Sequence, residues 1–98
     1  MEQIHHHSFW VFETDPAWLK QTFSENLENS GFRILGFIEH HFTPHGYTAV
    51  WLLGESHLAI HTFPESEKAN IQISSCSKQK LDDFISYSQK AQTRGFLA

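Results

Sequence analysis

The sequence has one cysteine, no cluster of basic residues and no long apolar run, and each absence excludes a class of protein. A single thiol, Cys76, cannot form an internal disulfide, which favours a reducing compartment such as the cytoplasm. With a net charge of −4 and no basic cluster beyond Lys78 and Lys80, the chain lacks the footprint of a nucleic-acid-binding protein. No apolar run approaches the ~18 residues of a membrane span, and the N-terminus has no signal-peptide pattern. We therefore expect a cytoplasmic protein that binds neither nucleic acid nor a membrane.

What the chain does contain is a large share of aromatic side chains, with nine Phe and three Trp among 98 residues. This length makes a single domain, residues 1–98, close to the lower limit for burying an adequate core alone. A small domain with so many aromatic rings is expected to cover its last apolar surface with a partner subunit.

Hydrophobic periodicity predicts five strands and two helices in the order β-α-β-β-β-β-α. The first helix begins where Asp15 caps it and Pro16 occupies its first turn, and it ends at Gly31. The connections in the middle of the chain are of hairpin length, which indicates an antiparallel sheet with both helices on one face. The predicted elements are strands over residues 8–13, 32–42, 47–53, 57–63 and 69–76, and helices over residues 16–30 and 81–88.

The predicted fold class is α+β, a two-layer sandwich of one antiparallel sheet and two helices. The other face of the sheet carries Phe, His, Cys and Gln side chains, which are too apolar to face water and too polar for an ordinary core. A sheet from a second subunit is the natural cover. We therefore expect a dimer in which the sheets of two subunits face each other, with a pocket between them.

The segment from Gly54 to Glu65, with the sequence GESHLAIHTFPE, concentrates the groups that could carry chemistry. It runs from a glycine turn into the fourth predicted strand, with Ser56 at the junction. Because side chains alternate along a strand, two histidines and an aromatic ring share one face. That face holds His57, Ala59, His61 and Phe63, and the opposite face holds Leu58, Ile60 and Thr62.

Three kinds of chemistry suit these residues, and the first is hydrolysis by a set of Ser56, His61 and Cys76. The fourth and fifth predicted strands are joined by a short loop, so we expect them to pair and to bring their polar faces side by side. However, no Gly-x-Ser-x-Gly elbow surrounds Ser56, and a cysteine is an unusual third member for a serine–histidine pair. These features disfavour a hydrolase.

A zinc site is the second possibility, since histidine and cysteine are good zinc ligands. No Cys-x-x-Cys or His-Glu-x-x-His spacing occurs in the sequence. His57 and His61 lie ~13 Å apart along the strand at ~3.3 Å per residue, too far to share an ion. The spacing therefore predicts no metal site among the candidates His40, His41, His57, His61 and Cys76, nor in the run His5 to His7.

The third possibility is chemistry on the main chain between Glu55 and Ser56. A serine hydroxyl beside a glycine-kinked peptide can attack the preceding carbonyl and turn the amide into an ester while an imidazole moves the protons. β-Elimination and hydrolysis then leave a pyruvoyl group, whose ketone forms a Schiff base with a substrate amine and accepts electrons as carboxylate leaves. The carbanion needs a proton donor, a role open to Cys76. Spacing alone does not establish this chemistry.

The central segment resembles that of the bacterial and archaeal S-adenosylmethionine decarboxylase proenzymes. The likeness rests on ESHLxIHTxPE at residues 55–65, followed eleven residues later by Cys76. The preceding hairpin, HFxPxGxT at residues 41–48, is similar too, as is a helix that opens just after Glu13. The resemblance covers most of the chain.

The resemblance implies self-cleavage between Glu55 and Ser56, with residues 1–55 becoming the β chain and residues 56–98 the α chain. It implies that Ser56 becomes a covalent pyruvoyl cofactor and that the substrate amine is S-adenosylmethionine. The product, decarboxylated S-adenosylmethionine, serves polyamine (spermidine) biosynthesis. The small members of this family pair sheet to sheet as homodimers.

The resemblance also implies roles for individual side chains. His61 serves processing, aided by the hydroxyl of Thr48, and Cys76 protonates the product carbon. The positions that correspond to the family's aromatic and acidic contacts with the nucleoside are Phe42, Phe63 and Glu65. Taken alone, Ser56 would be a turn residue, and the two phenylalanines would equally suit a core.

Several positions depart from the family's usual pattern. The family usually has Trp at the position of Phe63 and Tyr at the position of Lys68. It also usually has an acidic residue near the position of Gln72, and glycine directly after the cysteine, where this chain has Ser77. The processing residues are kept while residues that face the substrate differ. This pattern keeps two alternatives open: a pyruvoyl-dependent decarboxylase of another amine, such as ornithine or arginine, and a non-catalytic family member.

Overall fold

Six antiparallel strands and two helices make up the computed structural model, which describes residues 3–91 and 96–97. The elements are β1 (His5–Val11), α1 (Pro16–Asn29), β2 (Ile34–His41), β3 (Tyr47–Leu53), β4 (Ser56–Phe63), β5 (Lys68–Ser75), α2 (Lys78–Ala91) and β6 (Phe96–Leu97), with a 3-10 turn at Pro64–Ser66. The strands stand side by side in the order β2-β3-β4-β5-β1-β6. The predicted α+β class and the order of the first seven elements are confirmed, and β6 is a short strand that periodicity did not predict.

Helix α1 begins and ends at the residues that its sequence marks. The Asp15 carboxylate accepts a hydrogen bond from the Trp18 amide at 2.9 Å, and Pro16 occupies the first turn, where its missing N–H has no intrahelical partner to lose. The chain leaves the helix through Gly31, whose φ of 89° suits a residue without Cβ. Both ends of α1 are therefore determined by local chemistry.

Both helices pack on one face of the sheet, as predicted. The rings of Phe9 in β1, Phe23 in α1 and Phe84 in α2 form a cluster with centroids 6.0 to 6.4 Å apart. Between the helices, the Asn26 amide donates to the Ser88 hydroxyl at 3.3 Å. Alternate strand residues complete this core, among them Val11, Tyr47, Ala49, Trp51, Leu53, Leu58, Ile60, Ala69, Ile71 and Ile73.

The opposite face of the sheet is not covered by either described helix, and apolar side chains are exposed on it. Ile38 is 71% exposed and Leu52 is 56% exposed. On this face β4 presents the side chains that parity predicted, namely His57, Ala59, His61 and Phe63. An open, partly apolar face is what the predicted facing subunit requires, and the dimer itself stays a prediction.

Several element boundaries differ from the prediction, and the largest differences are in β1 and α2, whose backbone hydrogen bonds extend beyond the apolar pattern. β1 begins at His5 rather than at residue 8, since residues 5–7 pair with β5 and the His6 ring lies within hydrogen-bond distance, 2.6 Å, of the Ser74 hydroxyl. Helix α2 begins at Lys78, three residues before the predicted start. The sequence also predicts that the chain frays at Thr93, Arg94 and Gly95 after this helix, and these residues lie outside the described part.

Candidate active site

A two-residue turn, Gly54 and Glu55, joins β3 to β4 and carries the peptide bond that the sequence predicts to be cleaved. Leu53 pairs with Ser56 to close this turn. Ser56 lies inside β4 rather than before it, because it pairs with Leu53 on one side and with Ser75 of β5 on the other. The serine is therefore held by a strand on each side.

The carbonyl oxygen of Glu55 accepts two hydrogen bonds from Cys76. The backbone N–H of Cys76 donates at 3.2 Å and its thiol donates at 3.0 Å. Two donors aimed at one carbonyl draw electron density from its carbon and stabilise the negative charge that a nucleophile would place on the oxygen. Ser56, the next residue, carries a hydroxyl on the same peptide unit. We refer to Glu55, Ser56 and Cys76 as the junction group.

A second polar group lies farther along β4. Thr48 and His61 are register partners on β3 and β4, and Thr48 Oγ1 lies 3.2 Å from His61 Nδ1. Both side chains are half-buried and belong to the open face of the sheet. Fixed by this contact, the ring presents its Nε2 nitrogen away from Thr48. We refer to Thr48 and His61 as the imidazole pair.

Within one chain, the junction group and the imidazole pair do not meet. Ser56 and His61 are five residues apart on β4, which is ~16 Å at ~3.3 Å per residue. Because the separation is odd, the two side chains leave the strand on opposite faces. One chain thus brings Ser56 to Cys76 and His61 to Thr48, but it does not assemble the set of Ser56, His61 and Cys76 that the sequence suggested.

One residue predicted to contact the nucleoside lines a cavity of about 400 Å³ near the far end of β4, and a second lies within ion-pair distance of a lining residue. Phe42 lines this cavity and packs edge-on against the His40 ring, with the centroids 4.4 Å apart. Glu65 Oε1 lies 3.5 Å from Nε2 of His45, which lines the same cavity. The structure therefore brings Phe42 and Glu65 to one place.

The third predicted contact residue, Phe63, lies beside Trp10 of β1. The two ring centroids are 5.5 Å apart, and Lys68 Nζ lies 4.2 Å from the centroid of Trp10. Phe63 remains 45% exposed, so the two rings offer an aromatic surface. Sequence reasoning missed Trp10, because only the placement of β1 and β4 on either side of β5 brings it to this position.

The fold shifts the pKa of two groups next to the turn of the β2–β3 hairpin. The Tyr47 hydroxyl donates to Glu39 at 2.6 Å, which lowers the pKa of that carboxyl, and Lys20 at 3.3 Å acts in the same direction. Burial, together with the neighbouring carboxylate, raises the pKa of Tyr47 well above its usual range. The neutral Tyr47 hydroxyl and the ionised Glu39 carboxylate therefore connect β3 to β2. This contact lies beside His41, which lines the cavity.

Across residues 3–91 and 96–97, no three His, Cys, Asp or Glu side chains come close enough to share a metal ion. His57 and His61, which the sequence offered as ligands, share a face of β4 but are four residues apart. The two helices in this described part have 14 residues each, and neither has the length and apolar character to cross a membrane.

Comparison with known proteins identifies relatives of this chain. A family model described as S-adenosylmethionine decarboxylase matches residues 12–93. The S-adenosylmethionine decarboxylase proenzyme of Prochlorococcus marinus (strain MIT 9313) is 38% identical over 69 residues, which are 70% of this chain and 55% of the relative. The proenzyme of Geobacillus sp. (strain WCH70) is 38% identical over 85 residues, which are 82% of this chain and 67% of the relative. The chain thus spans about half the length of the first relative and about two thirds of the second.

A solved structure shares the fold. The crystal structure of the adenosylmethionine decarboxylase from Aquifex aeolicus VF5 matches with a TM-score of 0.74 and covers 95% of this chain and 84% of that chain. The sequences are 22% identical, so this likeness concerns the fold alone. Because the family model spans most of the chain, the chain belongs to the S-adenosylmethionine decarboxylase family, as its resemblance around Ser56 indicated.

Proposed function

We propose that this chain is a proenzyme that cleaves itself between Glu55 and Ser56 and then decarboxylates S-adenosylmethionine. Cleavage gives residues 1–55 and 56–98 of one domain. The observation that carries the proposal is the double hydrogen bond from Cys76 to the Glu55 carbonyl, directly before a serine. Relatives with 38% identity bear the name S-adenosylmethionine decarboxylase proenzyme, which supports both the cleavage and the substrate.

The residues of the junction group suit the first step of cleavage. The Ser56 hydroxyl attacks the Glu55 carbonyl carbon, and the charge that develops on the oxygen is stabilised by the N–H and the thiol of Cys76. A base must take the serine proton as the bond forms, and an acid must protonate the departing amine. His61, held by Thr48, is the residue that we propose for this proton transfer.

Because one chain separates Ser56 from His61, we propose that the complete site forms between two copies. We propose that the open faces of two copies pack about a two-fold axis that sets the turn of Gly54 and Glu55 of each subunit beside the imidazole pair of its partner. The exposed apolar side chains of Ile38 and Leu52 lie on these faces and would be buried by such packing. The homodimer then contains two identical sites, each built from both subunits.

The residues around Ser56 also suit the pyruvoyl group that its cleavage would produce. When present, this group supplies an electron-withdrawing ketone for the decarboxylation. Cys76 holds a proton on Sγ beside the junction, so it can protonate the product carbon. Phe63 offers a ring surface for the adenine base, while Phe42 and Glu65 stand at the cavity.

Decarboxylated S-adenosylmethionine is the product that we propose, and it supplies polyamine (spermidine) biosynthesis. The aromatic surface and the acidic group suit a nucleoside substrate, whose base can stack on a ring, whereas ornithine has no planar group to stack. The unpaired thiol of Cys76 suits the reducing cytoplasm, where we place the enzyme.

Release of carbon dioxide from three carboxyl-labelled amines tests the proposed function. The purified chain, incubated until cleavage is complete, is expected to release labelled carbon dioxide from S-adenosylmethionine and not from ornithine or arginine. The Ser56→Ala chain is the blank for each substrate. Release from ornithine or arginine alone would assign another amine, and no release from a chain that remains intact would indicate a non-catalytic member.

Replacing Cys76 with alanine is expected to separate cleavage from turnover. The alanine keeps the backbone N–H on the Glu55 carbonyl, so cleavage should proceed several-fold more slowly but to completion. Turnover should fall by about 100-fold, because the proton donor for the product carbon is lost. Mass spectrometry gives the cleaved fraction and labelled carbon dioxide gives turnover per cleaved chain. Unchanged turnover would remove Cys76 from the proton step.

A further inference from the structure

Two cationic side chains, Arg33 and Lys80, line one cavity with the turn of Gly54 and Glu55. Lys80, in the first turn of α2, forms an ion pair with Glu55 Oε1. Arg33 lies beside the preceding residue: its carbonyl accepts the Gly54 amide at 2.9 Å, and a methyl group added to Gly54 would lie 3.5 Å from Arg33 Nε and 3.6 Å from Nη2. These four residues line one cavity of about 340 Å³.

This cavity has more positive than negative charge. Lys80 is paired with the Glu55 carboxylate, whereas Arg33 has no ion-pair partner within residues 3–91 and 96–97. One carboxylate therefore faces two cations, and the cavity can accept one further negative charge. Since Arg33 and Glu55 line the same cavity, a negative charge formed on the main chain of Glu55 would be attracted by the guanidinium.

Self-cleavage creates such a charge. Attack of Ser56 Oγ forms a C–O bond to the Glu55 carbonyl carbon, breaks the C–N bond, and places the proton on the serine nitrogen. Loss of the serine Cα proton to a base then breaks the bond from Cβ to oxygen, and Glu55 leaves as an α-carboxylate that keeps the former serine oxygen. The enamine that remains becomes an imine by moving a proton to its terminal carbon. Water then adds to the imine carbon and ammonia departs, which leaves the ketone. The leaving group of the elimination is thus a carboxylate on Glu55.

We propose that Arg33 and Lys80 form a cationic clamp on Glu55 that accelerates self-cleavage. Lys80 fixes the Glu55 side chain before the reaction, and Arg33 receives the α-carboxylate as it forms. Lys80 is only four residues after Cys76, so the segment of residues 76–80 holds Glu55 at both its carbonyl and its side chain. Lys80 is a positioning residue, and Arg33 is a ligand of the leaving group. This inference rests on the proposed function.

The rate of cleavage in freshly synthesised chains tests the clamp. Wild-type, Arg33→Gln, Lys80→Gln and doubly substituted chains are made by cell-free translation with a labelled amino acid, and the cleaved fraction is followed over time on denaturing gels. Each single substitution is expected to slow cleavage about three- to five-fold, the scale of a partly exposed ion pair, and the double substitution should slow it more. Lys78→Gln is the matched control, since Lys78 pairs with Asp82 on the same helix at 2.9 Å.

Two further measurements show whether slower cleavage comes from the lost charge or from a disturbed fold. Raising sodium chloride from about 0.05 to about 0.5 M is expected to slow the wild-type chain and to leave the double variant unchanged, because salt screens the clamp. Lys80→Arg and Arg33→Lys are expected to restore most of the rate. Equal rates in all variants, or a salt response that survives the double substitution, would overturn the clamp alone. A wild-type chain that never cleaves would overturn the proposed function and the clamp with it.

Discussion

Replacing Ser56 with alanine is expected to abolish self-cleavage, so that the chain keeps a single mass for as long as it is incubated. Alanine has no hydroxyl to attack the Glu55 carbonyl, and the two donors from Cys76 then polarise a carbonyl that nothing attacks. Denaturing mass spectrometry gives the answer directly. The wild-type chain should yield two fragments, the second beginning at residue 56 with the mass of a pyruvoyl group.

The matched control for this substitution is Ser66→Ala. Ser66 is an exposed serine in the 3-10 turn that follows β4, so its loss should leave both the fold and the cleavage unchanged. Thermal unfolding of the Ser56→Ala chain near the wild-type temperature would show that the block is chemical. Two fragments from the Ser56→Ala chain would refute the assignment of Ser56 as the nucleophile.

Much of the fold could be predicted from local signals in the sequence. Asp15, Pro16 and Gly31 mark the ends of α1, and the alternation along β4 separates its buried face from its open face. The added strand β6 has two residues, which is too short for a period to appear. The early start of β1 could not be predicted, because its three histidines form no apolar pattern and the strand is extended there by pairing with β5.

The site could be predicted as a set of residues but not as an arrangement. The motif identifies Glu55, Ser56 and Cys76, yet the hydrogen bonds from Cys76 to Glu55 follow from the register of β4 and β5 and from where β5 ends. The positions of Arg33 and Lys80 beside Glu55 depend on tertiary packing and have no sequence period. Strand parity does put Ser56 and His61 on opposite faces, and it is this parity that separates the serine from the imidazole in one chain.

A mixed dimer is expected to cleave even when neither of its chains can cleave alone. Ser56→Ala lacks the nucleophile, and His61→Ala lacks the imidazole that we propose for the partner's junction group. When the two variants are co-expressed, the intact Ser56 of the His61→Ala chain faces the intact His61 of the other. With random pairing, half of the dimers are mixed and each has one working junction, so about a quarter of all chains should be cleaved.

The identity of the cleaved chain makes this experiment decisive. The sequence of residues 1–55 is the same in both variants, so the fragment of residues 56–98 identifies the cleaved chain: it should carry the His61→Ala substitution and never the Ser56→Ala substitution. The control is a chain that carries both substitutions, Ser56→Ala and His61→Ala. When this doubly substituted chain is co-expressed with the wild-type chain, the wild-type chain should stay uncleaved in mixed dimers. Its Ser56 then faces a partner without His61, and the other junction has no serine hydroxyl. If the two single variants stay intact together while that wild-type partner still cleaves, the imidazole acts within its own chain. The open, partly apolar face around Leu52 would then need another occupant.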